Sequence, residues 1–198
     1  TGTLNDYKVV DVSKSSGVVI HTLDTHKLKA GDKVHGIVDK ERRLSLAKNH
    51  TAAHIVGGAA RQILGQHTWQ TGSQIDVDKG RLDISHYKAI TAEEVSEIEK
   101  LANKVVAENR KTEKVLEDRT EAEKKYGFIL YQGGVVPGNQ IRVMKIPGLD
   151  IQACGGTHLD STGEVEGVKI IKTEKIQDGV VRLVFVAGKG LLEERRKK

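Results

Sequence analysis

The sequence predicts an α+β fold, with a mixed or antiparallel sheet flanked by helices. Three observations support this prediction: alternating apolar and polar runs near both ends of the chain, helix-period stretches between them, and turn residues at the junctions. Helices are inserted among the strands without the regular strand–helix alternation of a doubly wound fold. An α+β arrangement is therefore favoured over α/β.

The first elements are short strands followed by a long helix. Residues 7–39 contain the runs YKVVDV, GVVIHTL and KVHGIVD, which are typical of strands in a small barrel or sheet. From residue 42 the period changes, and Ala53, Val56 and Ala60 recur at helical spacing. Gly65 suits the end of this helix.

The remaining elements follow from turn and cap signals. A hairpin is expected around Asp78-Lys79-Gly80. Thr91 with Glu94 forms a capping box that starts a helix, and Thr120 with Glu123 repeats the signal for a helix that stops at Gly127. Strands return from residue 141, in the runs IRVMKI, VKIIKTEKI and VVRLVFVAG.

The composition is that of an ordinary globular protein, with 37% hydrophobic and 30% charged residues. No apolar run approaches the roughly 20 residues needed to cross a bilayer, and the N-terminal sequence has no signal-peptide pattern. We therefore expect a cytoplasmic protein with no membrane partner. The net charge of +5 is compatible with a nucleic-acid partner but does not establish one.

Two pairs of residues predict a metal site. His50 and His54 are four residues apart, so on a helix both can reach one ion, although such a pair often binds nothing. The run ACGGTH adds Cys154 and His158 in a glycine-rich turn, where thiolate and imidazole can converge. Three imidazoles and one thiolate favour Zn²⁺ over magnesium or calcium.

The first pair does not match a metallopeptidase. Thr51 follows His50, where the HExxH pattern has its glutamate, so the general base of that class is absent. Gly57 and Gly58 interrupt the helix, either to let a backbone or ligand approach closely or because the helix kinks there. Histidines 21, 26, 35, 67 and 86 have no such grouping and are interpreted as surface or packed residues.

Four motifs together carry a family resemblance. NHTAAH, QTGSQ, GRLDISH and CGGTH, in this order, resemble the editing domain of alanyl-tRNA synthetase and the free-standing AlaX-type trans-editing proteins. The resemblance covers residues 42–190 and includes VDKERR and DGVVRL. Residues 1–41 resemble the C-terminal part of the small β-barrel that precedes this domain. Residues 191–198 resemble the start of a helical linker, so a synthetase fragment is favoured over a free-standing protein.

The resemblance implies hydrolysis of the aminoacyl ester of tRNA(Ala) mischarged with serine or glycine. A pocket shaped for alanine cannot strongly reject a substrate that adds a hydroxyl or lacks a methyl, so a second, hydrolytic site supplies the missing discrimination. The implied partners are this tRNA and the other domains of the synthetase. A rival hypothesis is a zinc-stabilised tRNA-docking module without catalysis.

The resemblance also implies roles for individual residues. His50, His54, Cys154 and His158 would hold zinc in a closed site, and the ion would either act on the substrate directly or organise the pocket walls. Thr51 and Gln70 would be catalytic or pocket residues, with a helix back-bond and an exposed strand position as their structural alternatives.

The expected substrate-binding residues lie in two of the motifs. Gly155, Gly156 and Thr157 could offer backbone N–H groups to the ester, or could only shape the turn. Arg81 and Asp83 could bind substrate, or could form an internal ion pair. Trp69 is expected in the core rather than as a base-stacking surface, and the candidate phosphate partners are Arg42, Arg43, Lys124 and Lys125.

Overall fold

The computed structural model describes residues 1–188 and 190–191 and divides into two compact units. The first is Thr1–Leu44 and the second begins at Ser45. No helix among the described residues is long and apolar enough to cross a membrane. The linker expected at 191–198 falls, except for residue 191, outside the described residues.

The first unit contains one four-stranded antiparallel sheet. Its strands are β1 (Gly2–Leu4), β2 (Tyr7–Ser15), β3 (Val18–Leu23) and β4 (Gly36–Val38), in the order β3-β2-β1-β4. Ser16 and Gly17 join β2 to β3 with positive φ at both positions, the geometry that matches the twist of a tight hairpin. The sheet is open over the described residues, and β1 is a strand that the sequence pattern did not predict.

Three α-helices occur in the described residues, and each begins or ends at a predicted residue. Helix α1 is Lys40–Leu64, followed by Gly65 at φ 112°. Helix α2 is Ala92–Ala107 and starts with the predicted capping box of Thr91 and Glu94. Helix α3 is Arg119–Tyr126 and ends at Gly127, but its N-cap is Asp118, whose carboxylate accepts from two backbone N–H groups. The predicted start at Thr120 was therefore wrong.

The second unit contains two antiparallel sheets. The larger has the order β10-β11-β6-β5, with β5 (Gln70–Ile75), β6 (Gly80–Ser85), β10 (Val168–Gln177) and β11 (Val180–Ala187). The smaller contains β7 (Glu113–Asp118), β8 (Gln140–Ile146) and β9 (Asp150–Ala153). Two 3-10 helices lie at Gly127–Tyr131 and Thr162–Val165. The α+β class is confirmed, whereas β7 and β9 were missed.

The core of the second unit forms where α1 packs against the larger sheet. Ile55 and Val56 of α1 are fully buried, as are Leu183 and Phe185 of β11, and Ile98 of α2 joins them. Burial of this apolar surface is the main force holding the helix to the sheet. Because it fixes the rotation of α1, it also decides which way the other helix residues face.

One glycine of the pair within α1, Gly58, is explained by a close backbone contact. The helix continues through Gly57 and Gly58 to Leu64 without ending. A Cβ at Gly58 would lie 2.7 Å from Cγ of Leu149 and 2.9 Å from its carbonyl oxygen. Gly58 therefore allows the turn before β9 to lie directly on α1, which brings β9 beside the helix.

Candidate metal centre

Helix α1 and the loop after β9 bring four potential metal ligands together. The ligand atoms of His50, His54, Cys154 and His158 all lie within 4.8 Å of one another. The Cys154 Sγ atom is 3.5 Å from Nε2 of both His50 and His158, and the Nε2 atoms of His54 and His158 are 3.1 Å apart. The structure therefore brings the two pairs, His50 with His54 and Cys154 with His158, together as predicted.

The three shortest separations are close to those around a tetrahedral zinc ion. With Zn–N of about 2.05 Å and Zn–S of about 2.3 Å, ideal tetrahedral angles place two nitrogens about 3.3 Å apart and a nitrogen and a sulfur about 3.6 Å apart. The observed separations are 3.1 Å and 3.5 Å. Three nitrogens and one sulfur are also a donor set that zinc prefers. The four residues thus fit the metal that the sequence predicts.

The cluster is buried on one side and accessible on the other. His54 and His158 are 4% and 7% exposed, whereas His50 and Cys154 are only partly buried. Gly155 and Thr157 in the loop are exposed. A substrate could therefore approach the cluster on the side of Cys154 and the loop.

The two loop glycines are not equivalent. A Cβ at Gly156 would lie 2.0 Å from Cε1 of His50, whereas one at Gly155 would meet nothing within 4 Å. Only at Gly156 does the absence of a side chain leave room for the imidazole. The second glycine of CGGTH is thus required by ligand packing, and the first is not required for space.

The cluster strongly perturbs the protonation of its members. Burial raises the pKa of Cys154, but hydrogen bonds to His158, His50 and His54 outweigh it and lower that pKa to about 3. Burial also lowers the pKa of His158 to about 4. The thiolate and the neutral imidazole are the forms that bind a metal.

His54 is perturbed in the opposite direction. Burial alone lowers its pKa, but the hydrogen bond to Asp150 and the neighbouring Cys154 raise it to about 9. Without a cation in the cluster, His54 therefore holds a proton that a metal ion must displace.

Thr51 is fully buried, and its hydroxyl is engaged by backbone groups. It donates to the carbonyl of Ala47 at 2.9 Å and accepts from the N–H of Leu159 at 3.0 Å. The first bond is the helix back-bond that was the structural alternative for this residue. The second ties α1 to the residue after the ligand His158. A pocket role for Thr51 stays a prediction.

Gln70 lies on the face of the large sheet that packs against α1. It pairs with Ile84, a core residue, so the two side chains share a face. Its amide donates to the hydroxyl of Ser73 at 3.3 Å, and a Cβ at Gly133 would lie 3.1 Å from its Nε2. The side chain is half-buried, and its catalytic role stays a prediction.

Arg81 and Asp83 lie on the opposite face of the same sheet. Along β6 they alternate with the core residues Leu82 and Ile84. Asp83 accepts two hydrogen bonds from Arg182, at 2.7 and 2.9 Å, while Arg81 is 3.8 Å away. The structure therefore does not bring these two residues together with the ligand cluster, and it contains the ion pair that was their alternative.

The remaining expectations concern Trp69 and the basic residues predicted to contact phosphate. Trp69 is 37% exposed, so its expected place in the core was wrong, and the Arg61 guanidinium lies 5.6 Å from its ring centroid. Lys124 and Lys125 are exposed but near Glu121 and Glu117, at 2.8 and 3.8 Å. Phosphate contacts by these lysines and by the exposed Arg42 and Arg43 stay predictions.

Sequence reasoning missed two residues near the cluster and the pairing of two further histidines. Asp150 is 2.8 Å from Nδ1 of His54, and Arg142 donates to the carbonyls of Cys154 and Gly156. His67 and His86, interpreted as ungrouped, are joined at 2.8 Å between Nε2 and Nδ1. No spacing rule signals these contacts, because each joins residues from different elements.

Comparison with known proteins agrees with the motifs. Residues 141–184 match the family model of the threonyl and alanyl tRNA synthetase second additional domain. The chain is 50% identical over 194 residues to alanine–tRNA ligase of Methanococcus maripaludis, covering 98% of this chain and 22% of the relative. It is 54% identical over 186 residues to that of Thermococcus kodakarensis, covering 93% and 20%.

A third relative gives the same picture. Alanine–tRNA ligase of Pyrococcus furiosus is 50% identical over 194 residues, covering 98% of this chain and 21% of the relative. The chain thus spans about a fifth of the length of the curated relatives it matches. The resemblance predicted from the motifs is confirmed: nearly the whole chain corresponds to a segment of alanine–tRNA ligase.

Proposed function

We propose that this chain is the part of an alanyl-tRNA synthetase that edits mischarged tRNA(Ala), and that it hydrolyses the aminoacyl ester of Ser-tRNA(Ala) and Gly-tRNA(Ala). The observation that carries the proposal is the His50, His54, Cys154 and His158 cluster, accessible on one side, in a segment similar to alanine–tRNA ligase. In the reaction, water attacks the carbonyl carbon and the bond to the ribose oxygen breaks. The amino acid and the free 3′ end of the tRNA are released.

The four cluster residues would hold zinc. When bound, the ion would either polarise the ester or organise the pocket. The residues themselves account for two features of the site. The perturbed pKa of Cys154 keeps the thiolate form at neutral pH, and the buried His54 and His158 exclude water from the inner side. The ester of the substrate would then contact the exposed loop that contains Gly155 and Thr157.

The loop backbone is the proposed contact for the ester carbonyl. Arg142 donates to the carbonyl of Gly156, and in a trans peptide the N–H of Thr157 points away from that carbonyl. The hydrogen bond from Arg142 therefore fixes the direction of the Thr157 N–H. Such fixed N–H groups can stabilise the negative charge that develops on the carbonyl oxygen during attack.

Gln70 is the proposed side-chain participant. It lies on the sheet face toward α1, and its half-buried amide has one modest hydrogen bond, 3.3 Å to Ser73. The amide could break this bond and orient a water or the ester. Thr51 is proposed instead to support the pocket wall, since both of its hydrogen bonds go to backbone groups.

A second function is favoured by the ligand count. Four protein ligands make a closed zinc site, and closed sites are usually structural. A zinc-stabilised module that docks tRNA without chemistry would need the same cluster. A free-standing AlaX-type deacylase is the third possibility and differs in the size of the protein rather than in the site.

The decisive experiment is deacylation of Ser-tRNA(Ala) and Ala-tRNA(Ala), with zinc content measured for each protein. We expect selective cleavage of Ser-tRNA(Ala), reduced zinc content and loss of activity in Cys154→Ala, and retained zinc with about 100-fold slower cleavage in Gln70→Ala. Gln74→Ala is the matched control, because Gln74 pairs with Arg81 on the opposite face of the same strand.

One result would reject the proposed function, and another would reject the role of Gln70 in it. A folded wild type with stoichiometric zinc and no cleavage, even when the other synthetase domains are added, would favour the docking module. Equal loss of activity in Gln74→Ala and Gln70→Ala would remove the specific role of Gln70.

A further inference from the structure

His54 is held on its outer side by a buried carboxylate. Its Nδ1 lies 2.8 Å from Oδ2 of Asp150, and the two side chains are 4% and 2% exposed. By contrast, the buried Nδ1 of His158 has no hydrogen-bond partner among the described residues. Of the two buried histidines in the cluster, only His54 is oriented by a carboxylate.

The position of Asp150 follows from the fold. Asp150 is the first residue of β9, and Cys154 directly follows the last, so one short strand sets the spacing between the carboxylate and the thiolate. The close approach of Leu149 to Gly58 sets the start of that strand against α1, near His54. The other oxygen of Asp150 accepts from Gln152 at 3.3 Å, which limits rotation of the carboxylate.

A second charge stabilises the carboxylate. Arg61 lies two turns beyond His54 on α1, is buried, and interacts electrostatically with Asp150. A carboxylate that is buried without compensation would be costly, and hydrogen bonds together with a nearby cation reduce that cost.

The chemistry of the pair determines the tautomer of His54. An ionised carboxylate only accepts hydrogen bonds, so the proton between the two groups must sit on Nδ1. The Nε2 atom of neutral His54 then carries a lone pair that faces the cluster, 3.1 Å from Nε2 of His158. Two lone pairs at this distance repel unless a proton or a cation lies between them. This is the orientation needed for a ligand nitrogen.

We propose that Asp150 is a positioning residue, which fixes His54 with Nδ1–H toward the carboxylate and Nε2 toward the metal. The inference rests on the proposed metal site but not on the proposed tRNA chemistry. Outer partners of this kind typically contribute 10–100-fold to metal affinity, because they orient the ring and increase its basicity.

The test compares zinc affinities by competition with a chromophoric chelator. We expect zinc to bind about 10–100-fold more weakly to Asp150→Ala, and about tenfold more weakly to Asp150→Asn, which can still accept from Nδ1–H but has lost its charge. Asp178→Asn is the matched control. This carboxylate is exposed and pairs with Lys175 in the β10–β11 turn, so affinity should not change.

A second readout separates positioning from general stability. In ¹⁵N–¹H spectra of the zinc-loaded protein, the Nδ1–H of His54 should be a slowly exchanging resonance in the wild type. It should remain in Asp150→Asn and exchange rapidly in Asp150→Ala. Should Asp150→Ala not fold, Asp150→Asn decides through affinity alone.

Zinc affinities of both variants within twofold of the wild type would overturn the proposal. So would a His54 bound through Nδ1, or a wild type that does not bind zinc. If zinc binds as expected but no ester is cleaved, the proposed function fails while the role of Asp150 stands.

Discussion

The second unit contains two histidine groups that look alike locally and differ in what surrounds them. In the metal cluster, Nε2 of His54 lies 3.1 Å from Nε2 of His158, and in the other pair Nε2 of His67 lies 2.8 Å from Nδ1 of His86. Both include a buried histidine with a ring nitrogen that has no hydrogen-bond partner in the part of the chain that the structure describes: Nδ1 of His158 and Nε2 of His86.

The two groups differ in the residues that surround them. The first has a thiolate within the group and a carboxylate hydrogen-bonded to one of its histidines. The second lies beside the tilted ring of Tyr87 and outside the single group of potential ligands found among the described residues. Close histidines are therefore not enough to predict a metal site. An anionic donor and a fixed tautomer are the features that distinguish the first group.

Among the substitutions that test this difference, removal of the Cys154 thiolate should cause the largest loss of zinc affinity. For a zinc-binding free energy of about 12 kcal/mol, loss of one ligand in four in Cys154→Ala should remove about 3 kcal/mol, a weakening of about 100-fold. Chelator competition measures it. Zinc binding within a few-fold of the wild type would mean that the cluster is not the metal site.

The Gly156→Ala substitution should have the next largest effect. The new methyl would lie 2.0 Å from the His50 ring, so the ring or the loop must move. Overpacking of this kind typically costs about 1–3 kcal/mol. We expect zinc to bind about tenfold more weakly. Gly155→Ala, which points into open space, is the matched control, and equal effects of the two substitutions would contradict the assignment of packing to Gly156.

Much of the fold was predictable because it depends on local signals. Cap residues, turn residues and apolar periodicity act over a few positions, so α1, α2 and the β5–β6 hairpin were predicted close to their observed bounds. The short strands β7 and β9 were missed because EKVLED and DIQA carry little apolar alternation. Their pairing with β8 comes from tertiary contacts that no local window contains.

The site was predictable only where a motif marks it. The four candidate ligands could be picked out because their residue types and spacing are typical of a metal site. Asp150 and Arg142 were missed because their roles depend on contacts with His54 and Gly156 across separate elements. For Arg81 and Asp83, the motif predicts substrate binding, and strand alternation directs their side chains away from the face that packs on α1. Their role in substrate binding stays a prediction.

The second histidine pair should respond to mutation without affecting zinc. His67→Ala removes the partner of His86 Nδ1, and loss of one such hydrogen bond typically lowers the free energy of unfolding by about 1 kcal/mol. Urea unfolding and zinc content of the same samples test this. A fall in zinc content would show that the two histidine groups are coupled and that the His67–His86 pair is not independent of the metal cluster.

The pH dependence of stability should give the smallest effect. Burial and the neighbouring His67 and Lys88 lower the pKa of His86, while Glu94 opposes them. The unfolded chain, with a histidine pKa of about 6.5, therefore binds more protons than the folded chain just below that pH, so stability falls as the pH drops from about 6.5 through the folded-state pKa. One proton limits the slope to about 1.4 kcal/mol per pH unit. Urea unfolding of zinc-free wild type and His86→Asn from pH 7.5 to 5 measures the difference, in which the titration of the metal ligands cancels. The variant should lose less stability over this range, and parallel curves would show that His86 is not protonated differently in the folded and unfolded states.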